Sequence, residues 1–129
     1  MLAVSISCPV FPSEDPERVR QAVLNVFPDA ELVLSDGVLS GETENIEHFS
    51  AQIRRQRTLD STRSMLIKGR RGESSAFNLN KQAAYAGKIS FTEERTILGT
   101  IKVIFRSDDI MAFIESLAPQ TVDGEEVLI

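Results

Sequence analysis

Apolar runs in this sequence are short, as at Leu32–Leu34 and Val103–Phe105, against the roughly 20 consecutive apolar residues that a helical membrane span requires. No transmembrane helix is expected. Cysteine occurs once, at Cys8, so no intrachain disulfide and no cysteine-based zinc cluster can form within one chain. The thiol reads as a small buried apolar group. Histidine also occurs once, at His48, beside Glu47 and without a second ligand nearby, and is expected on the surface. The sequence has no Walker loop, no dinucleotide glycine fingerprint, no nucleophile elbow, no paired-histidine motif and no calcium loop. No metal, no cofactor and no catalytic residue is assigned, and the chain reads as a non-enzyme. Glu93-Glu94 and Asp108-Asp109 are adjacent carboxylates, but neighbours at a strand end or helix cap diverge into solvent, and nothing selects them for acid-base work.

Residues Met1–Val10 carry no positive charge ahead of their apolar side chains and alternate polar with apolar, unlike a secretory signal. A cytoplasmic location is expected. The length of 129 residues suits one domain, and the hydrophobic share of 42% with 26% charged residues is that of a globular protein rather than a disordered one. A single α+β domain is expected over residues 1–119, followed by an acidic, loose tail over 120–129.

A net charge of −5 argues mildly against a polyanion partner, but the charge is unevenly placed. Between Ser50 and Lys88 stand nine basic and two acidic residues, leaving five basic and seventeen acidic elsewhere. The asymmetry predicts a local polyanion site on an acidic body.

Leu2, Val4, Ile6 and Cys8 alternate with smaller or polar residues, the pattern of a strand with one buried face. Ser13-Glu14-Asp15-Pro16-Glu17 then supplies a cap, early acidic residues and a first-turn proline for a helix. Its core stripe is Val19, Ala22, Val23, Val26 and Phe27, and Pro28 ends it. Glu31–Ser35 and Val38–Gly41 form a hairpin around Asp36-Gly37. Thr43 is expected to cap a long helix running to about Lys68, with Glu44 and Glu47 in its first turn. Gly69–Ser74 reads as a loop, Ala76–Leu79 as a short strand and Asn80–Ala86 as a turn or short helix closed by Gly87. Lys88–Phe91 and Thr100–Arg106 are expected strands joined by a turn at Arg95–Gly99, and Ile101, Val103 and Phe105 lie on one side of the second, opposite Lys102 and Arg106. Ser107-Asp108-Asp109 caps a last helix through Ile110, Phe113, Ile114 and Leu117.

The order β-α-ββ-α-(β)ββ-α favours hairpins over repeated crossovers. It predicts a two-layer α+β sandwich, a mixed or antiparallel sheet with its helices on one face. The other face must be solvated, bind a partner or pair with a second copy.

On a helix from Ile46, the residues Phe49, Ile53 and Ile67 share a stripe, and at about 100° per residue Gln56, Asp60 and Arg63 fall within it. Polar groups do not rest against a core without partners. In a structural reading, Asp60 and Arg63 form an (i, i+3) ion pair and Gln56 completes a network. In a functional one, the helix overhangs the core, Arg57 and Arg63 reach a phosphate, and Asp60 orients them. Arg54 and Arg55 point elsewhere and read as a solvated face. Lys68, Arg70 and Arg71 flank or occupy a glycine-bounded loop suited to tracking a nucleic-acid backbone.

The second unusual stretch, Phe77–Lys88, holds the amides Asn78, Asn80 and Gln82, the cations Lys81 and Lys88, and Tyr85, which can stack on an unpaired base. Equally, Asn80 can cap a short helix whose Ala83, Ala84 and Tyr85 pack inside. Together with Arg55–Arg63 and the helix start at Ser13–Pro16, this stretch resembles an archaeal protein family described as an RNA-binding domain, from Val4 to about Pro119. The resemblance implies a fold similar to ribosomal large-subunit protein five, an RNA partner and pairing of two copies through the sheet. It brings no catalytic residue.

The sequence therefore predicts a non-catalytic RNA-binding domain. Arg57, Arg63, Lys68, Arg70, Arg71, Lys81, Tyr85 and Lys88 are its candidate nucleic-acid contacts, supported by Gln56, Asp60 and Asn80. The alternative is a dimeric interaction or scaffold protein in which the exposed sheet face is the interface and the basic helix meets an acidic protein partner. An enzymatic reading would need Asp60 and Arg63 in a deep pocket beside Asn80 or Lys81, and ranks last.

Overall fold

A computed structural model describes residues 2–93 and 99–122, with the backbone of 125 and 126. The expected turn at Arg95–Gly99 lies, apart from Gly99, outside the described residues. The elements in chain order are β1 (Leu2–Pro9), α1 (Pro16–Val26), β2 (Glu31–Ser35), β3 (Val38–Thr43), α2 (Glu47–Arg55) and α3 (Leu59–Lys68). They continue as β4 (Arg70–Arg71), β5 (Ser74–Leu79), α4 (Lys81–Tyr85), β6 (Ile101–Ser107), α5 (Ile110–Leu117), β7 (Thr121–Val122) and β8 (Glu125–Glu126).

The main sheet has six strands in the order β2-β3-β1-β6-β5-β4, and every neighbouring pair is antiparallel. The expected α+β sandwich with helices on one face is therefore present, in its purely antiparallel form. Val4, Ile6 and Cys8 of β1, Phe77 and Leu79 of β5, and Ile101, Val103 and Phe105 of β6 are all buried. Their alternation places one face of the sheet beneath the helices. Phe105 is the hub of the aromatic core, with ring centroids 5.1 Å from Phe77 and 5.5 Å from Phe49 in edge-on contact. Burial of one such side chain contributes about 1.5–3 kcal/mol.

Local chemistry explains the elements that formed as expected. Asp15 caps α1 by accepting the Glu17 N–H at 3.0 Å, one residue ahead of Pro16. Asp36 (φ 52°) and Gly37 (φ 77°) both take left-handed conformations, which is how a two-residue turn matches the twist of a hairpin.

Four expectations about the elements between Thr43 and Phe91 need correction. The single helix to Lys68 is two helices, α2 and α3, broken at Gln56-Arg57-Thr58. There the Thr58 N–H bonds the Ile53 carbonyl at 2.9 Å and the Arg57 N–H bonds the Arg54 carbonyl at 3.1 Å, with Arg57 at φ 57°. This paired closure normally carries glycine at the left-handed position, and arginine stands in its place. Thr43 does not cap α2; its hydroxyl accepts the Asn45 N–H, and Asn45 in turn accepts the Glu47 N–H.

The Gly69–Ser74 loop is instead a hairpin, with β4 pairing β5. A side chain at Gly69 would lie 1.9 Å from the Ala76 carbonyl oxygen, so this glycine permits a close crossing of α3 and β5. Lys88–Phe91 is not a strand: it touches β5 through the single bridge Leu79–Phe91. The segment after Pro119 begins as the β7–β8 hairpin, and Thr121 bonds Asp60 through both its backbone N–H, at 3.4 Å, and its hydroxyl, at 2.6 Å.

Candidate nucleic-acid interface

The sheet face opposite the helices carries small side chains at its centre, with Ala3, Ser5 and Ser7 on β1 and Ser74 and Ala76 on β5. Its charges are separated. On β6, Lys102 and Arg106 project from this face, in register with Asn78 and Ser74 of β5. Arg71 of β4 also pairs with Ser74 and so shares the row of Arg106. With neighbouring strands about 4.8 Å apart, Arg71 and Arg106 stand about 10 Å apart, and Lys102 lies about 13 Å further along β6. None of the three side chains forms a hydrogen bond or ion pair with another described residue. At the other edge, Glu31 and Glu42 face each other in register. One half of the open face is cationic and the other anionic.

Lys102 and Arg106 were not among the residues predicted for the site. The signal was present in the period-two pattern of β6, which sets them opposite Ile101, Val103 and Phe105. They stand far along the chain from the basic segment, and only the antiparallel pairing of β6 with β5 brings them beside Arg71.

The remaining candidates are dispersed. Arg57 is exposed at the break between α2 and α3, and exposed Lys88 is close by, because Gln56 is hydrogen-bonded to Ile89. Gln52 donates to Gln56 at 2.8 Å and Arg55 donates to Gln52 at 2.6 Å, so Gln56 sits in a polar network, but with these residues and Ile89 rather than with the expected Asp60 and Arg63. Arg54 is tied to Ser50 of its own helix. Lys68 pairs with Glu93 at the surface, whereas Arg70 is exposed at the sheet edge.

Asp60 and Arg63 do not serve each other as the main partners. Arg63 turns to Glu115 of α5, with Nη2 to Oε1 at 2.5 Å, and Asp60 holds Thr121. The hydrogen bond from Arg63 is the main reason that the Glu115 carboxyl is held below the ordinary glutamate range. The same bond raises the Arg63 guanidinium above its already high value. Its side chain is 15% exposed, so Arg63 braces α3 against α5 rather than projecting toward a ligand.

Lys81 departs furthest from a phosphate contact. It is 8% exposed, and its ammonium donates to the Pro9 carbonyl at 2.5 Å and to Glu14 at 3.0 Å. It also lies 5.3 Å from the centre of the Phe11 ring. Asn80 caps α4 by accepting the Ala83 N–H at 2.9 Å, as its structural reading expected. Tyr85 is 49% exposed, and the Arg18 guanidinium carbon lies 6.0 Å from its ring centre. Lys81, Arg18 and Tyr85 line one cleft of about 890 Å³ between α1 and α4.

The fold and the exposed cations together define an open-faced antiparallel α+β sandwich with a split-charge surface. The chain belongs to the UPF0201 protein family, and the family model that matches it, over residues 3–107, is described as RNA binding. A UPF0201 protein of Thermococcus onnurineus is 39% identical over 128 residues, covering 94% of this chain and 94% of that protein. A UPF0200/UPF0201 protein of Archaeoglobus fulgidus is 38% identical over 127 residues, which are 96% of this chain but 39% of the relative. The crystal structure of a UPF0201 protein from Methanococcus jannaschii superposes with a TM-score of 0.92 at 36% identity, covering 98% of this chain and 99% of that one.

Proposed function

We propose that this chain binds RNA without catalysing a reaction on it, and that the cationic half of its open sheet face is the principal contact. The observation that carries this reading is the set Arg71, Arg106 and Lys102: three cations on one flat face, without protein partners among the described residues. Small neighbours such as Ser74 and Ala76 let a phosphate backbone approach the sheet. The description of the matching family as RNA binding supports the same reading. Arg70, which pairs with Ser75 and so points to the other side of β4 from Arg71, and Arg57 and Lys88 at the α2–α3 break are exposed on the helix side of the sheet, whereas Arg63 and Lys81 act within the fold. Among the described residues, no helix is long and apolar enough to cross a membrane, and the reading places the protein in the cytoplasm with its RNA.

Binding by phosphate neutralisation releases counterions, so affinity falls with salt by about 0.7 log units per log unit for each single-stranded phosphate contacted. Replacing Arg71, Lys102 and Arg106 together by alanine is expected to flatten that slope by about 2. Fluorescence anisotropy with a labelled oligoribonucleotide over a salt series measures it. An unchanged slope, or no binding by the parent chain at low salt, overturns the reading.

The separation of Glu31 and Glu42 from the cations favours one further arrangement. A two-fold pairing of open faces would set the carboxylates of each copy against the cations of the other. Sedimentation velocity separates the two: a dimer dispersed by salt and displaced by RNA supports competition for the face, and a monomer at every salt concentration eliminates pairing.

A further inference from the structure

We propose that the cleft between α1 and α4 receives a single unstacked nucleobase, laid against Tyr85 and hydrogen-bonded along its edge by side chains of the cleft. The proposal rests on the RNA reading above and assigns a second, chemically different subsite to it. The cleft encloses about 890 Å³, within the range of small-ligand sites. Its charged lining residues are Glu14, Asp15, Arg18 and Lys81, two of each sign, and they are already matched. Lys81 pairs with Glu14 at 3.0 Å and Arg18 with Asp15 at 4.0 Å.

A cleft with balanced, internally paired charges offers little to a phosphate. It suits a neutral, flat occupant with a hydrogen-bonding edge, and a nucleobase is such a group. Tyr85 supplies a half-exposed aromatic surface, and Arg18 at 6.0 Å from its centre shows that a planar group already lies within reach of the ring. The side-chain polar groups of Ser13, Gln82 and Tyr85 line the cleft without a hydrogen-bond partner among the described residues. They can read donors and acceptors on a base edge. Val19 and Ala22 add buried apolar lining.

The cleft and the cationic strip lie on opposite sides of the sheet but share one end of it. Lys102 is in register with Ser7, two residues before Pro9, whose carbonyl is held by Lys81 of the cleft. A strand of RNA following Arg71, Arg106 and Lys102 therefore arrives at the end of the sheet where the cleft lies.

Tyr85 is the only tyrosine and the chain has no tryptophan, so intrinsic fluorescence reports this ring directly. The experiment titrates the protein with an unstructured oligoribonucleotide labelled for anisotropy at its far end, while Tyr85 emission is followed in parallel. Base stacking is expected to quench that emission at the concentration where anisotropy rises. Tyr85→Ala is expected to weaken binding roughly ten-fold without changing the salt slope, because a stacked base neutralises no phosphate. Tyr85→Phe is expected to retain most of the affinity. Binding without quenching, or with Tyr85→Ala equal to the parent, overturns the cleft proposal and leaves the RNA reading standing. Absence of any anisotropy change overturns both.

Discussion

The Gln56 side chain grips the peptide groups of Ile89 from both directions, donating to its carbonyl at 2.8 Å and accepting its N–H at 2.8 Å. The amide thus completes, for a segment outside the sheet, the two bonds that a neighbouring strand would supply. It explains how Lys88–Phe91 is held although it forms no ladder with β5.

Gln56→Ala leaves both groups of buried Ile89 without partners. At about 1–3 kcal/mol for such a loss, the variant is expected to unfold about 2 kcal/mol more easily. Urea unfolding monitored by circular dichroism measures this, and a midpoint equal to that of the parent would show that the contact is dispensable.

Arg57 occupies the left-handed position of the closure between α2 and α3. An L-residue with a side chain bears a cost of about 1 kcal/mol there that glycine avoids. Arg57→Gly is expected to raise stability by roughly that amount, and thermal unfolding gives the sign. A lower melting temperature would mean that packing of the Arg57 side chain outweighs the backbone strain.

Lys81 and Glu14 form a pair with both side chains nearly buried, 8% and 12% exposed. Removing one member leaves the other's charge without its counter-ion, a loss on the order of 3 kcal/mol. Lys81→Met is expected to destabilise the fold strongly, and a second change, Glu14→Gln, is expected to recover part of the loss. A double-mutant cycle in urea detects the coupling, and strictly additive effects would show that the pair is energetically independent.

Cys8 lies beneath this pair, and its pKa is pushed up from 9.0 to about 11. Burial is the main cause; Lys81 opposes it and Glu14 adds to it. Because the folded value exceeds the unfolded one, the thiol's contribution to stability is intact below about pH 9 and is lost as pH rises toward 11. At pH 8 a thiol reagent is expected to modify Cys8 only as fast as the chain opens. Immediate modification of the native protein would contradict that burial.

The fold was legible wherever a repeating pattern coincided with a terminating signal. β1, α1 and the Asp36-Gly37 hairpin each had both, and each formed close to its expected bounds. The break at Arg57 had no such signal, because the residue that stops α2 is one that ordinarily continues a helix. With the helix extended through that break, Asp60 and Arg63 were placed against the core and against each other. The break re-aims α3, and they find Thr121 and Glu115, partners distant in sequence that no local spacing announces. The Asn80 cap was legible because its bond closes within three residues. The burial of Lys81 was not, since it depends on Pro9 and Glu14 meeting α4 from the opposite end of the chain.

The central strand pair of the sheet joins the beginning of the domain to its end: Leu2 of β1 lies opposite Ser107 of β6, and Ser7 opposite Lys102. The β2–β3 hairpin and its pairing with β1 can assemble early, but the middle of the sheet closes only after about a hundred residues of chain have been made. At typical synthesis speeds of about 5–20 residues per second, β1 waits several seconds for its second neighbour, with Val4, Ile6 and Cys8 uncovered on that side. Cellular production of this protein is therefore expected to be limited by how well the nascent chain is shielded during that interval, rather than by the stability of the finished fold.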